Sequence, residues 1–511
     1  MTTEPARTAP DVLAELRALR EGDAPTRGGR TFAYVYDAGL AGLDELAAAA
    51  YTTFATVNGL DPTVFPSVAR LENDVVGAAV RLLGAPGAQG TFTSGGTESI
   101  LLAVKAARDH ARAVRGISAP QLVIASTAHA AFHKAAHYLG LETVVVPVDP
   151  DSFRADADAM AAALTDRTAL VVASAPSYAH GVLDPVGEIA AAAAGRGVLC
   201  HVDACIGGWL LPHLRRAGRE VPPFDLSVPG VTSLSVDLHK HGYADKGASV
   251  VLYRDAELRR HQYFAHAGWP GYPVVNPTVQ GTKSGGLLAQ AWAVLQHVGE
   301  DGYTALAGRV AEASDRLLAG LRATEGVRVL GEPAAGLVAF TVGDGPGATA
   351  GGSPGNVSGS APGNVSGGAP DLSLLLHLAD EMRERGWYLQ PQLSFDGLPP
   401  NLHLTLTPAT VGQVDALLDD LAAALGAARA LPPVTVDPAL VDLAAGLDPA
   451  ALGPKEVADV LAFAGLGGGS GAGGAGGLPD RMAPVLVLLD ALPGPLKERL
   501  LSEFFGSVFR V

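Results

Sequence analysis

An α/β chain built around a mostly parallel sheet, with a smaller α+β unit behind it, is what three features of the sequence predict. Between about residues 90 and 255, short β-rich runs alternate with helical ones, the rhythm of a sheet covered on both faces. Six of those runs are short, apolar and β-branched, as buried parallel strands are: Gln121 to Ser126, Thr143 to Val148, Ala169 to Ser174, Val198 to Asp203, Ser233 to Asp237 and Ala248 to Tyr253. Beyond them, VRVLGEP, LVAFTV and NLHLTLTP read as strands of a second sheet.

In chain order, helical spacing of apolar residues appears first near Asp11 to Arg20 and then near Leu43 to Thr56. The alternating region follows, and a further helical pattern runs from near Gly286 to about Leu321 before the second set of strands. The expected organisation is an N-terminal helical segment over 1–70, a large domain over 71–305 and a small C-terminal domain over 306–511. Two low-complexity stretches interrupt the last: 343–370, which repeats PGNVSG, and 465–477, nearly all Gly and Ala. Neither holds enough apolar surface to order itself, so both are expected as surface insertions.

The 511 residues suffice for a large core, and 48% hydrophobic with 17% charged residues is a globular composition. A net charge of −16 repels phosphate backbones and anionic lipid, which argues against nucleic acid as a partner. The two cysteines, Cys200 and Cys205, are too few for a disulfide framework and lack metal-type spacing, consistent with a reducing compartment. The N-terminal segment has no apolar core of signal-peptide length, and no run approaches about 20 uninterrupted apolar residues. A cytoplasmic protein without a membrane span is expected.

Three motifs carry chemistry. In TFTSGGTES, Gly95 and Gly96 permit a tight turn, and Thr97 and Glu98 open an amphipathic helix; free backbone N–H groups and the positive end of the helix dipole make such a start a phosphate seat. Simple helix capping would use the same residues, and no G-K-[ST] follows to make a Walker loop. In HVDACIGG, a strand ending at Asp203 puts a carboxylate at the carboxyl edge of the sheet, where ligands of open α/β folds bind. In VDLHKHGYADKG, Lys240 follows an acidic residue and His239, between a strand and a glycine-containing turn that would bury its amine at the same edge. A lysine becomes a nucleophile toward carbonyls when burial or nearby cations lower its pKa, and His239 and Lys246 are close in sequence. Lys240 therefore reads as the Schiff-base anchor of pyridoxal 5′-phosphate (PLP), and Asp203 as the acid that keeps a pyridine nitrogen protonated.

The ordered set TSGGTESI, STAHAAFHKAA, HGVLDPV, HVDACIGG, DLHKHGYADKGAS and GTKSGG resembles the sphingosine-1-phosphate lyase branch of the group II PLP-dependent decarboxylases, over roughly Tyr36 to the DRMAPVLVLLDAL segment. The resemblance implies a PLP-dependent transferase-like fold type I, with the cofactor in the large domain. It implies that Lys240 carries the cofactor, that Asp203 binds its ring nitrogen, that His129 stacks on the ring, and that Gly96, Thr97 and His239 lie near its phosphate. Gly281 and Thr282 match a loop that reaches the phosphate from the partner subunit, which implies a homodimer with shared active sites. Tyr36 and Lys246 match positions that handle substrate; with His129 they are the candidate proton acceptors.

Two departures from the family pattern bear on charge. Where the lyases read N-P-L-H-P this chain has Asn58, Gly59, Leu60, Asp61 and Pro62, so an acid replaces a histidine expected to hold a substrate phosphate. An anion at a desolvated phosphate site would cost on the order of several kcal/mol, which argues against a long-chain phosphorylated substrate. Lys283 replaces the usual arginine, keeping the charge without the bidentate fork.

The expected function is a PLP-dependent carbon–carbon lyase cleaving an amino alcohol, phosphorylated or not, or an amino acid next to its amine. The alternatives are an amino-acid decarboxylase and a catalytically inert PLP-fold dimer. His129, His133 and His137 recur every four residues, but no nearby carboxylate or Cys completes a coordination set, and no metal is expected. Cys205 reads as a small buried side chain rather than a nucleophile.

Overall fold

The computed structural model describes residues 7–343, 369–453 and 479–509. A seven-stranded sheet is its centre: β1 (Gln89–Thr93), β2 (Gln121–Ala125), β3 (Glu142–Val146), β4 (Thr168–Ser174), β5 (Leu199–Asp203), β6 (Val231–Asp237) and β7 (Ser249–Tyr253), in the spatial order β1-β7-β6-β5-β4-β2-β3. All six strands expected from composition form, and all but the edge strand β3 are buried along most of their length because both faces are covered. β1 was not anticipated: QGTFT has three β-formers behind a glutamine and a glycine, too short a run to stand out, and the sheet context makes it a strand.

Pairing is parallel from β3 through β2, β4 and β5 to β6, while β7 is antiparallel to both β6 and β1. β1 and β6 therefore run the same way. This has a direct consequence for the site: β1, β2, β4, β5 and β6 all end at one edge, so the segments leaving them meet there. The antiparallel β7 also lets the chain turn back after β6 without a crossover helix. The turn that carries Lys240 joins β6 to β7 directly at that edge.

The helix Gly96–Arg115 leaves β1 and buries Ile100, Val104 and Ala107 against the sheet at helical spacing. Buried hydroxyls bind its first turn to β1 and β7: Thr93 Oγ1 lies 2.6 Å from Ser99 Oγ, which lies 2.9 Å from Ser249 Oγ. The helix Gly285–Ala323 joins the two sheets, with a break at Gly299, whose φ of 64° suits a residue lacking Cβ. A short hairpin, β8 (Phe264–His266) with β9 (Val274–Asn276), precedes it.

Four antiparallel strands form the small sheet in the order β10 (Val327–Val329), β11 (Leu337–Val342), β13 (Asn401–Thr405) and β12 (Gln390–Gln392). β10, β11 and β13 are the three anticipated strands. The Gly-rich stretches 343–370 and 465–477 lie outside the described residues, except for Gly343, Ala369 and Pro370; Gly343 and Pro370 face each other in an isolated bridge, so the first insertion leaves and rejoins the small sheet at one point. Helices Pro438–Ala445, Ala483–Ala491 and Gly494–Val508 share an apolar cluster of their own around Val485, Leu489 and Leu496. The buried Asp380 carboxylate docks them by accepting the backbone N–H groups of Met482 and Ala483, both at 2.9 Å. Among the described residues no helix is long and apolar enough to cross a membrane.

Candidate active site

A cavity of ≈310 Å³ opens at the edge where those strands end, lined by Gly95, Gly96 and Thr97 after β1, His129 after β2, Tyr178 after β4, Asp203 of β5 and Asp237, His239 and Lys240 at the end of β6. Of the expected site residues, Lys240, Asp203, His129, Gly96, Thr97 and His239 meet here.

Lys240 does not sit as an activated free amine. Its Nζ lies 3.0 Å from Asp237 Oδ2, on a side chain only 19% exposed. Burial is the largest single influence and lowers the ammonium pKa, but Asp237 foremost, with Tyr36, Cys205 and Asp203, together outweighs it, and the amine is held well above the ordinary lysine range. The lowered pKa expected from His239 and Lys246 is therefore corrected: an anion three residues away, in contact, dominates cations that are farther off. The same pairing works in reverse on Asp237, which burial pushes up and Lys240 and His239 pull below the usual carboxylate range. Asp237 was missed as a site residue, although its spacing of three from Lys240 was legible in VDLHK.

Asp203 ends β5 in register with Ser235, and its Oδ1 accepts from Cys205 N at 3.1 Å and Ser235 Oγ at 3.4 Å. These bonds fix the carboxylate of a residue that lines the cavity. Cys205 is buried, its Sγ donating to Ser235 Oγ, and burial raises its thiol pKa far above the reactive range.

Two histidines have their tautomers set by backbone. His129 Nδ1 accepts from Ala131 N at 3.1 Å, and His239 Nδ1 accepts from Ala248 N at 3.3 Å, so each presents Nε2–H. Burial first, then nearby lysines, keep His239 below its ordinary pKa even with Asp237 3.6 Å away. His133 and His137 are exposed on the helix Ala131–Leu139, whereas His129 precedes it and turns into the cavity, so the three do not line one helix face.

The glycine turn fits a phosphate. Gly95 has φ 151°, and a Cβ on Gly96 would stand 2.8 Å from Asp237 Oδ2, so only glycine brings the backbone this close to the base of the cavity. The helix Gly96–Arg115 has no side-chain cap at its N-terminus, which leaves its first N–H groups for an anion. Asp237 Oδ1 is buried without a hydrogen-bond partner. A phosphate seat, a fixed carboxylate, a lysine and an imidazole around one cavity fit PLP.

Tyr36 and Lys246 stand beside the cavity rather than in its lining: Lys246 Nζ lies 5.2 Å above the Tyr36 ring, which meets His241 edge-on at 5.1 Å. Burial pushes the Tyr36 hydroxyl up to about 12, while burial and the Lys240 charge lower the Lys246 ammonium. Gly281 and Thr282 are exposed and outside this cavity; Gly281 O accepts from Asn276 Nδ2 at 2.9 Å and Thr282 Oγ1 donates to Asn58 Oδ1 at 3.2 Å. Lys283 donates to both Glu72 oxygens at 2.8 Å and to Phe92 O at 3.0 Å, so the charge kept at this position is already neutralised. Asp61 Oδ1 accepts the N–H of Thr63 at 2.8 Å and its hydroxyl at 2.6 Å, on a separate cavity of ≈620 Å³ that Lys283 also lines.

Tyr178 and Glu98 were also missed. Glu98 holds the glycine turn by accepting Ser94 N and ties it to the Gly281 loop by accepting Val279 N, both at 2.7 Å. APSYAHG carries no signal for Tyr178; only the fold brings it to the cavity.

Residues 29–343 match the family model described as pyridoxal-dependent decarboxylase conserved domain, and 438–507 match the pyridoxal-dependent enzyme, C-terminal putative HTH domain. The chain is 38% identical to sphingosine-1-phosphate lyase of Arabidopsis thaliana over 447 residues, 86% of this chain and 76% of that protein. It is 38% identical to the Dictyostelium discoideum lyase over 73% of this chain, and spans 64% of that longer protein. The solved sphingosine-1-phosphate lyase of Burkholderia pseudomallei K96243 superposes with a TM-score of 0.74 at 35% identity, covering 84% of this chain and 93% of that one. The chain belongs to the pyridoxal-dependent decarboxylase family, in its sphingosine-1-phosphate lyase-like branch, and is a PLP-dependent lyase of fold type I.

Proposed function

We propose that the chain cleaves the carbon–carbon bond next to the amine of a small polar amino alcohol, releasing an aldehyde. The observation that carries this reading is the charge of the cavity: among the described residues Lys240 is the one lysine or arginine in its lining, against the carboxylates of Glu98, Asp203 and Asp237. A substrate carboxylate would enter with no fixed cation to meet it, whereas an ammonium and a hydroxyl would find acceptors.

When bound, PLP supplies the electron sink for the pair left by the broken bond. The residues of the chain do the rest. Lys240 would hold the cofactor, and Asp237, 3.0 Å from its Nζ, pairs its charge when the amine is free in this buried site. Asp203 would hold the ring nitrogen and keep it protonated. The glycine turn and Thr97 would seat the phosphate at the helix N-terminus, and His129 would cover the ring and offer its Nε2–H as a donor. Retro-aldol cleavage needs an acceptor for the hydroxyl proton. Lys246, its pKa lowered by burial and by Lys240, suits that role better than Tyr36, whose hydroxyl holds its own proton to about pH 12.

A long-chain phosphorylated substrate is disfavoured because Asp61 is anionic and Lys283 is occupied by Glu72. A cytoplasmic homodimer in which Gly281 and Thr282 reach the partner's phosphate seat belongs to the same proposal; their exposure and distance from their own cavity support it. Trapping of aldehyde against headspace carbon dioxide over a panel of amino alcohols and amino acids tests the reading. Aldehyde from amino alcohols is expected; carbon dioxide from amino acids without aldehyde would assign a decarboxylase instead.

A further inference from the structure

Tyr178 lines the cavity after β4, its ring edge-on to His129 at 6.4 Å and 4.4 Å from that of His403. Its hydroxyl leaves the large domain: it donates to Gln390 Oε1 of the small sheet at 2.5 Å, and Gln390 Nε2 donates in turn to Tyr34 Oη at 3.0 Å. The arrangement is held from several sides. Gln390 pairs with His403 in the β12–β13 ladder, the turn after β12 is fixed by Ser394 N donating to Asp490 Oδ1 at 2.8 Å, and Tyr34 holds φ 66°, a left-handed conformation uncommon for an aromatic residue.

A phenol has one proton to give and lone pairs to receive with. An amide oxygen can only accept, so the Tyr178 proton is committed to Gln390. What Tyr178 offers the cavity is a lone pair, and burial, which raises its pKa, keeps it a neutral phenol. Tyr178 thus adds an acceptor to those of Glu98, Asp203 and Asp237, while the donors of the lining come from Lys240, His129 and His239.

We propose that Gln390 is a positioning residue that sets substrate specificity: by taking the Tyr178 proton it makes the wall of the cavity favour a substrate hydroxyl over a substrate carboxylate. This rests on the amino-alcohol reading above. Freed of Gln390, the Tyr178 hydroxyl turns its proton into the cavity and can donate to a carboxylate.

The test is a binding ratio on the full-length holoenzyme, measured without turnover through the shift of the bound-cofactor absorption band during titration with alanine and with alaninol, which share one carbon skeleton. Gln390→Met is expected to lower the preference for alaninol about tenfold, the scale of one buried hydrogen bond gained by one ligand and lost by the other, while the resting band stays unchanged. Gln390→Glu keeps an acceptor for Tyr178 and is expected to hold the wild-type ratio within about twofold. Should Gln390→Met not retain cofactor, Tyr178→Phe removes the acceptor itself and must lower the ratio. An unchanged ratio in the Met or Phe variant, or an equal fall in the Glu and Met variants, overturns the role of Gln390 while leaving the lyase reading intact. A wild-type preference for alanine defeats the amino-alcohol reading first.

Discussion

Substitution of Asp237 by Asn separates two ways in which Lys240 could be made ready for the cofactor. Asp237 Oδ2 stands 3.0 Å from Nζ, and the pair is buried. At an effective dielectric of about 20, two unit charges at that distance attract by roughly 5 kcal/mol, about 4 pK units at 1.36 kcal/mol each. Asparagine has the same shape and removes the charge. Burial then acts unopposed by its main counterweight, and the Lys240 pKa falls by an amount of that order.

The assay is the rate at which cofactor-free protein acquires the visible absorption band on mixing with PLP, followed against pH. In the wild type the neutral amine is a small fraction throughout the accessible range, so the rate rises close to tenfold per pH unit without levelling. In Asp237→Asn the profile should bend to a plateau at alkaline pH, with faster attachment at neutral pH. A variant profile that climbs with unit slope over the whole range would show that Asp237 does not govern the amine, and the electrostatic account of the site would fail. His239, paired with the same carboxylate at 3.6 Å, supplies a control: His239→Gln should leave the wild-type slope unchanged.

Four further outcomes are expected. Lys240→Ala should abolish turnover and the visible band while leaving the circular dichroism of the fold; retained turnover would remove Lys240 from the mechanism. Gly96→Ala places a Cβ 2.8 Å from Asp237 Oδ2, and overpacking of about 1–3 kcal/mol should weaken cofactor affinity roughly tenfold or more, read by fluorescence titration. Asp61→His should strengthen binding of phosphorylated amines, and unchanged affinity would reject Asp61 as the residue that excludes them. Burial depresses His180, His201 and His213 to about 4 and His241 and His403 to about 3. Because the unfolded chain then binds more protons below its histidine pKa of about 6.5, stability present above that pH is lost as pH falls, by about 2 kcal/mol per such histidine at pH 5. Asp184, raised to about 6 by burial, opposes the trend over a narrower window. Urea midpoints that stay constant from pH 7 to 5 would refute the assignment.

Much of the architecture was legible because buried parallel strands carry their own label: continuous β-branched apolar runs such as LVIA before Ser126 and ALVVAS before Ala175 can be little else. The elements that escaped are those whose conformation comes from neighbours. β1 is stabilised by pairing with β7, and β12, written QPQ, exists because β13 offers it an edge. The site divides the same way. Lys240, Asp203 and the glycine turn sit at strand ends and can be placed by motif, but Tyr178 and Gln390 are 212 residues apart and meet only across the two sheets. The sign of the Lys240 shift was missed for a related reason: counting charges in sequence finds His239 and Lys246 next to Asp237 without showing which one touches the amine.

The topology explains why chemistry collects where it does. A β7 parallel to its neighbours would need a crossover helix after β6 in place of the short turn that carries Lys240. Reversing that one strand keeps β6 and β1 parallel to each other with β7 between them, so the phosphate seat after β1 and the lysine after β6 are separated by a single strand. Cysteine and serine side chains fill the space behind them, and the carboxylates of Asp203 and Asp237 are left facing one cavity at the ends of adjacent strands. Two buried anions so placed repel unless cations come between them; Lys240 answers for Asp237, and a protonated ring nitrogen answers for Asp203. On this argument the site is electrostatically complete only with its cofactor. Thermal stability should therefore rise with PLP more in the wild type than in Asp203→Asn, even with both saturated.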